Sequence, residues 1–129
     1  MKAICYALCA LLLFNTSCSK DTDPNADIMG KWNWVSSDGG LIGAHYTPAS
    51  TGRNVVLQFT RGNNFYTYTN GTLTTQGTFT VRMIEDSGRQ RRYIEFSSGM
   101  GSEIIALVTP TTLQLGENAN DGFAHLYKR

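Results

Sequence analysis

The chain has 129 residues, enough for one domain and too few for a multidomain enzyme. Eleven Lys and Arg against ten Asp and Glu leave a formal charge of +1 with no long charged block, so the basic footprint of a nucleic-acid-binding protein is absent. Fifteen Thr beside thirteen Gly, six Tyr, six Phe and only three Pro favour pleated, half-buried surface over helix, and the fold class this predicts is all-β.

The N-terminus reads as an address. Met1-Lys2 gives a positive start, residues 3–14 form an apolar run, and Asn15-Thr16-Ser17 leads into Cys18. Twelve residues of helix rise only about 18 Å against a hydrocarbon core of about 30 Å, so the run predicts a removable secretory signal over residues 1–17 and not a permanent span. Leu13-Phe14-Asn15-Thr16-Ser17-Cys18 resembles a bacterial lipobox, although Asn15 stands where an aliphatic residue is usual. That resemblance implies acylation of Cys18, which becomes the new N-terminus; ordinary cleavage nearby is the alternative. All three Cys (Cys5, Cys9 and Cys18) lie in this segment, so the mature chain holds no second thiol to pair with Cys18. Two or three acyl chains, at about 0.8 kcal/mol per buried methylene, would hold the protein on a membrane. Residues 18–27 are polar and acidic with one Pro and read as a flexible tether, leaving 28–129 as the folded domain. The expected location is the cell envelope, lipid-anchored at the outer membrane on its periplasmic or surface face.

From residue 28 onward, short strand-like runs alternate with turn residues, and no stretch keeps apolar positions at helical spacing. Eight strands are predicted. The first, 31–36, alternates Trp32 and Trp34 against polar neighbours, and 54–60 places Val55, Leu57 and Phe59 on one face. Residues 64–69 set Phe65 and Thr67 opposite Tyr66 and Tyr68, and Asn70-Gly71 then predicts a two-residue hairpin turn. The return strand, 72–84, carries Leu73, Phe79, Val81 and Met83, with Gly77 expected as a bulge or bend. Asp86-Ser87-Gly88 turns the chain into 91–96, and 103–109, 112–116 and 122–129 complete the set.

Consecutive strands joined by hairpin-sized loops predict an eight-stranded up-and-down antiparallel barrel, whose closure removes exposed edges. The one long connection, residues 37–53, is Gly-rich and reads as a flap. A transmembrane barrel is the rival, but strands averaging about six residues fall short of the 9 to 11 needed to cross a bilayer. Gly30-Lys31-Trp32 at the start of the first strand, the long first loop and the terminal Lys128-Arg129 together resemble a lipocalin, closest to the small lipocalin-like lipoproteins of Bacteroidetes. The resemblance covers residues 28–129. It implies that Trp32, following Gly30, plugs one end of the barrel with Arg129 or Lys128 over its indole. Neither the Thr-Asp-Tyr motif nor the outer helix of larger lipocalins is present. Trp32 and Trp34 read equally well as a pair of core aromatics.

The inward set predicted by alternation includes Leu57, Phe59, Phe65, Phe79, Val81 and Phe96, bulky enough to fill much of a small barrel. A ligand site is therefore expected to be modest and near the open mouth, bordered by Tyr46, Phe65 and Thr67, with Trp34, Leu57, Phe59, Phe79 and Phe96 as further lining candidates. His45 and His125 make no metal spacing, so no metal and no cofactor are expected. Ser36-Ser37 and Ser97-Ser98 show no nucleophile context, the scattered carboxylates read as a solvated face, and the chain is not expected to be an enzyme. Three functions remain, with an enzyme ranked last because no constellation of nucleophile, base and orienter is visible. One is a small apolar or amphipathic ligand held at the open end, with the flap around His45 and Tyr46 as a lid. The alternative is a protein-binding module, an inhibitor or accessory subunit, using Tyr46, Tyr66, Tyr68 and Tyr93 on a filled barrel.

Overall fold

The computed structural model describes residues 23–129. Residues 1–22, with the expected signal segment and Cys18, lie outside the described residues. Nine strands follow in order: β1 (Gly30–Gly39), β2 (Ala44–Tyr46), β3 (Val55–Thr60), β4 (Asn64–Thr69), β5 (Thr72–Asp86), β6 (Arg89–Phe96), β7 (Gly101–Val108), β8 (Thr112–Glu117) and β9 (Phe123–Lys128). One helical turn, α1 (Pro48–Thr51), precedes β3. Each strand from β3 to β9 pairs antiparallel with its sequence neighbour, and β1 pairs with both β3 and β9. The result is a closed, eight-stranded, up-and-down barrel with the short β2 added on β1.

The turn chemistry sets the register. Asn70 and Gly71 both take positive φ (51° and 82°), as a two-residue primed turn requires, so β4 and β5 meet with Thr69 opposite Thr72. The Asn70 side chain also ties this turn to the flap, accepting from the Asn54 N–H (2.8 Å) and donating to the Gly52 carbonyl. Residues 37–53, read from sequence as a flap rather than another helix, instead continue β1, turn back as β2 and close with the helical turn α1. Thr47 and Ser50 cap α1 reciprocally.

The structure departs from sequence expectation at Gly77 and at residues 23–27. Gly77 is not a bulge: it pairs regularly with Phe65, and the register shift of β4–β5 falls between Thr67 and Tyr68. A Cβ on Gly77 would lie 2.6 Å from Ser97 Oγ and 3.0 Å from the Phe65 ring, so the glycine makes room for that ring. Residues 23–27 are also not a free tether. They form turns, with Ala26 N–H donating to the Asp23 carbonyl, and Asp27 makes a two-pronged pair with Arg92 (2.6 and 3.1 Å). That guanidinium holds the Asp27 carboxyl below the usual carboxylate range.

The core occupies one end of the barrel. Ile28, Trp32, Leu57, Phe59, Phe65, Phe79, Ile94, Phe96, Ile105, Leu113 and Leu115 form one buried cluster. The Phe59–Phe79 and Phe65–Phe96 rings meet edge to face at 4.9 and 4.8 Å between centroids, a geometry that adds to their area burial. Trp32 is fully buried, donates its indole N–H to the Ile28 carbonyl (2.7 Å), and carries the Arg129 guanidinium 4.0 Å above its ring. Arg129 is pinned by the carbonyls of Pro110 (2.7 Å), Met29 and Asp27. Held in this way, Arg129 covers the indole ring, and its outer side borders a hollow of about 280 Å³ with Asp27, Val108, Thr109 and Pro110.

Candidate functional site

The opposite end of the barrel differs in chemistry. Along β1, alternation from Trp32 would put Trp34 and Ser36 inside and Ser37 outside. A β-bulge between Trp34 and Ser36 shifts this parity. Trp34 remains opposite Tyr127 of β9, while Ser37 now stands directly opposite His125. One extra residue therefore brings a hydroxyl into contact with an imidazole 88 positions away. On the other side of β1, Asp38 pairs with His45 of β2, and their side chains are hydrogen-bonded on the exposed face. His45 holds the Asp38 carboxyl below its ordinary range.

The inner contacts form a chain. The Trp34 indole N–H donates to Ser37 Oγ (2.9 Å), and Ser37 Oγ lies 2.6 Å from His125 Nδ1. His125 Nε2 faces the Glu117 carboxylate at 3.8 Å, and the other Glu117 oxygen accepts the Phe123 backbone N–H (3.1 Å). Burial pushes the His125 pKa down, against the opposing pull of Glu117, so the ring is neutral near pH 7. A carboxylate can only accept, so the proton belongs on Nε2, Nδ1 is the free base, and Ser37 donates to it. At 3.8 Å the Glu117–His125 contact orients the ring electrostatically and is not a hydrogen bond.

Around this chain lies a recess of about 330 Å³, walled by Trp34, Tyr46, Phe123 and His125 with Ser37, Thr51 and Arg53. A smaller hollow of about 180 Å³ shares Trp34, Ser37, Arg53 and His125 and reaches Val55 and Tyr127. Phe123 stacks on His125 (6.3 Å, 14°) and leans on Tyr46 (5.9 Å, 36°), giving a continuous aromatic wall. Deeper inside, Glu103 of β7 has a buried oxygen with no hydrogen-bond partner among the described residues, as does the Thr67 hydroxyl of β4. Burial, with Glu117 nearby, pushes the Glu103 carboxyl up to about 7, and burial with the Glu103 charge raises Tyr127. The interior thus grades from a filled aromatic end to a polar, partly open mouth.

A larger groove of about 530 Å³ lies where β6 and β7 part beyond the Tyr93–Ile104 pair. Its cations Arg91 and Arg92 are already engaged by Asp86 (3.5 Å) and Asp27, which makes it a weaker candidate.

Of the residues singled out from sequence, Trp34 and Tyr46 line the mouth recess. Leu57, Phe59, Phe65, Phe79 and Phe96 belong to the packed core, with exposures of 7% or less, and do not line it. Phe65 and Thr67 therefore do not border the site as expected. Gly30 and Arg129 sit with Trp32 at the closed end. Ser37, His125 and Glu117, which the sequence reads as having no nucleophile context, no metal spacing and a solvated position, instead meet here with Arg53 and Phe123, to which the sequence assigns no role. Their signal is the bulge, which no local pattern in Trp34-Val35-Ser36 announces. Among the described residues, no group of three or more His, Cys, Asp or Glu side chains is placed to hold a metal, and no helix is long and apolar enough to cross a membrane.

Comparison with known proteins finds no matching family model, no matching curated protein and no matching solved structure.

Proposed function

We propose that this protein is a lipid-anchored, lipocalin-like binding protein of the cell envelope that holds a small amphipathic molecule at the mouth of its barrel. The observation that carries the reading is the mouth recess, where an aromatic wall of Trp34, Tyr46 and Phe123 meets the polar groups Ser37, His125 and Arg53. Ligand sites combine these features, a mostly apolar enclosure with a few fixed polar groups. The recess admits one ring or the end of a chain, because the Phe cluster below it is already filled. Acylation of Cys18 would attach the protein through the chain that enters beside Trp32, the end remote from the mouth, which leaves the recess facing away from the anchor.

The test is the fluorescence of Trp34 in a Trp32→Phe background during titration with fatty acids, retinoids and haem-like rings. A saturable change at micromolar concentration, lost in Tyr46→Ala, supports the reading, and no change with any of the three ends it. A second reading, a protein-binding module, is favoured by Leu41 and Ile42, which stand 86% and 90% exposed at the tip of the β1–β2 hairpin. If envelope extract yields a partner that Leu41→Asp/Ile42→Asp loses, while Trp34 responds to no small molecule, this second reading replaces the first.

A further inference from the structure

We propose that Ser37, His125 and Glu117 form a nucleophile, base and orienting carboxylate that cleave small carboxylic esters lodged in the mouth recess. The inference rests on the binding reading above, since the recess must accept the apolar part of the substrate. Three geometric facts carry it. Ser37 Oγ is 2.6 Å from the unprotonated nitrogen of His125, within the range expected of a serine and its base. Glu117 faces the far nitrogen of the same ring and is itself fixed by the Phe123 N–H. All three side chains converge at one end of the barrel, and Ser37 and His125 both line the recess, so the nucleophile is reachable from the mouth although it is shielded from bulk water. The ring nitrogens are used in the opposite sense to the familiar serine hydrolase arrangement, which is recognised by geometry and roles and not by chain order.

The step balances without an added reagent. Ser37 Oγ bonds to the ester carbonyl carbon as its proton passes to His125 Nδ1. The carbon–alkoxide bond then breaks, the alkoxide takes the proton from Nδ1 and leaves as an alcohol, and the acyl group remains on Ser37. Water entering at the mouth gives a proton to Nδ1 and its oxygen to the acyl carbon, and the proton returns to Ser37 as the acid departs. Arg53 on the rim of the same recess is the cation placed to meet the developing oxyanion, together with the Trp34 indole N–H as it leaves Ser37 Oγ. Trp34, Tyr46 and Phe123 favour an aromatic or short aliphatic acyl group.

The experiment uses the full chain in detergent, a biotinylated fluorophosphonate and p-nitrophenyl butyrate. The expected result is a single phosphonyl adduct on Ser37 found by mass spectrometry, absent from Ser37→Ala. Ester turnover should fall about 100-fold or more in His125→Asn. The labelling rate should rise with pH around a midpoint below 6.5, because burial depresses His125. Glu117 of β8 is the charged group facing the ring, with Glu103 of β7 and Tyr127 of β9 behind it. Glu117→Gln should therefore move that midpoint lower, a change a purely structural role would not produce. Ser37→Cys guards against a misfolded Ala variant: iodoacetamide should alkylate it faster when His125 is intact. No adduct, an adduct on another serine, or equal rates with and without His125 overturns the proposal. If the Trp34 titration still reports binding in that case, only the chemistry falls; if it does not, the binding reading falls with it.

Discussion

Glu103 gives the pH dependence of stability a definite sign. Its carboxyl is largely buried, has an unpartnered oxygen, and is raised from 4.5 to about 7 by burial first and by Glu117 second. Below pH 4.5 the group is protonated in both folded and unfolded chains and its ionisation costs nothing. Between pH 4.5 and 7 the folded chain keeps a proton the unfolded chain has lost, so stability falls as pH rises. At about 1.4 kcal/mol per pH step, the loss reaches about 3 kcal/mol and then levels off above pH 7. His125 works in the other direction: its depressed pKa gives stability that is present above 6.5 and lost as pH falls toward the folded value. Urea unfolding of the wild type and Glu103→Gln from pH 4 to 9, followed by Trp fluorescence, separates the two because both proteins keep His125. The advantage of Glu103→Gln should grow by about 3 kcal/mol between pH 4.5 and pH 8. A difference that stays constant across that range refutes the reasoning.

The closed end and the proposed anchor give three further outcomes. Trp32→Ala removes a fully buried indole and should cost about 3 to 5 kcal/mol, whereas Tyr46→Ala, at a residue 45% exposed, should cost about 1 kcal/mol or less; equal melting temperatures would contradict the packing described for Trp32. Gly77→Ala should cost about 1 to 3 kcal/mol in urea unfolding, since its new methyl meets Ser97 Oγ at 2.6 Å and the Phe65 ring at 3.0 Å. Cells fed an alkyne fatty acid should label the wild-type protein and not Cys18→Ser, and equal labelling of both would remove the lipid anchor.

Sequence patterning carried the barrel because its determinants are local. Period-two alternation marked Val55, Leu57 and Phe59, and the Asn70-Gly71 pair named its own turn, so strand count and order were legible. Strand lengths were less so. β5 runs on to Asp86 and β6 starts at Arg89 because their hairpin continues pairing past the barrel end, which propensity does not encode. The candidate site was legible only in part. Trp34 and Tyr46 were found as aromatics beside the flap, but the Ser37–His125 contact depends on which β1 residue is the odd one out at the bulge. Gly77 shows the converse: a strand glycine reads as a bend, and only the position of the Phe65 ring reveals that it is a gap. The Phe residues were correctly placed inside, yet whether an interior position lines a cavity or fills it depends on neighbours across the barrel, here the edge-to-face pairs with Phe79 and Phe96.

The chain's two tryptophans mark the filled end and the receptive end of one barrel. Their indole N–H resonances are separately observable by NMR, one bonded to the Ile28 carbonyl and the other to Ser37 Oγ. Titration of the protein with decanoate or a retinoid should shift the Trp34 resonance progressively to saturation and leave that of Trp32 in place. A static pair of resonances, or a shift at Trp32 in place of Trp34, would contradict the account.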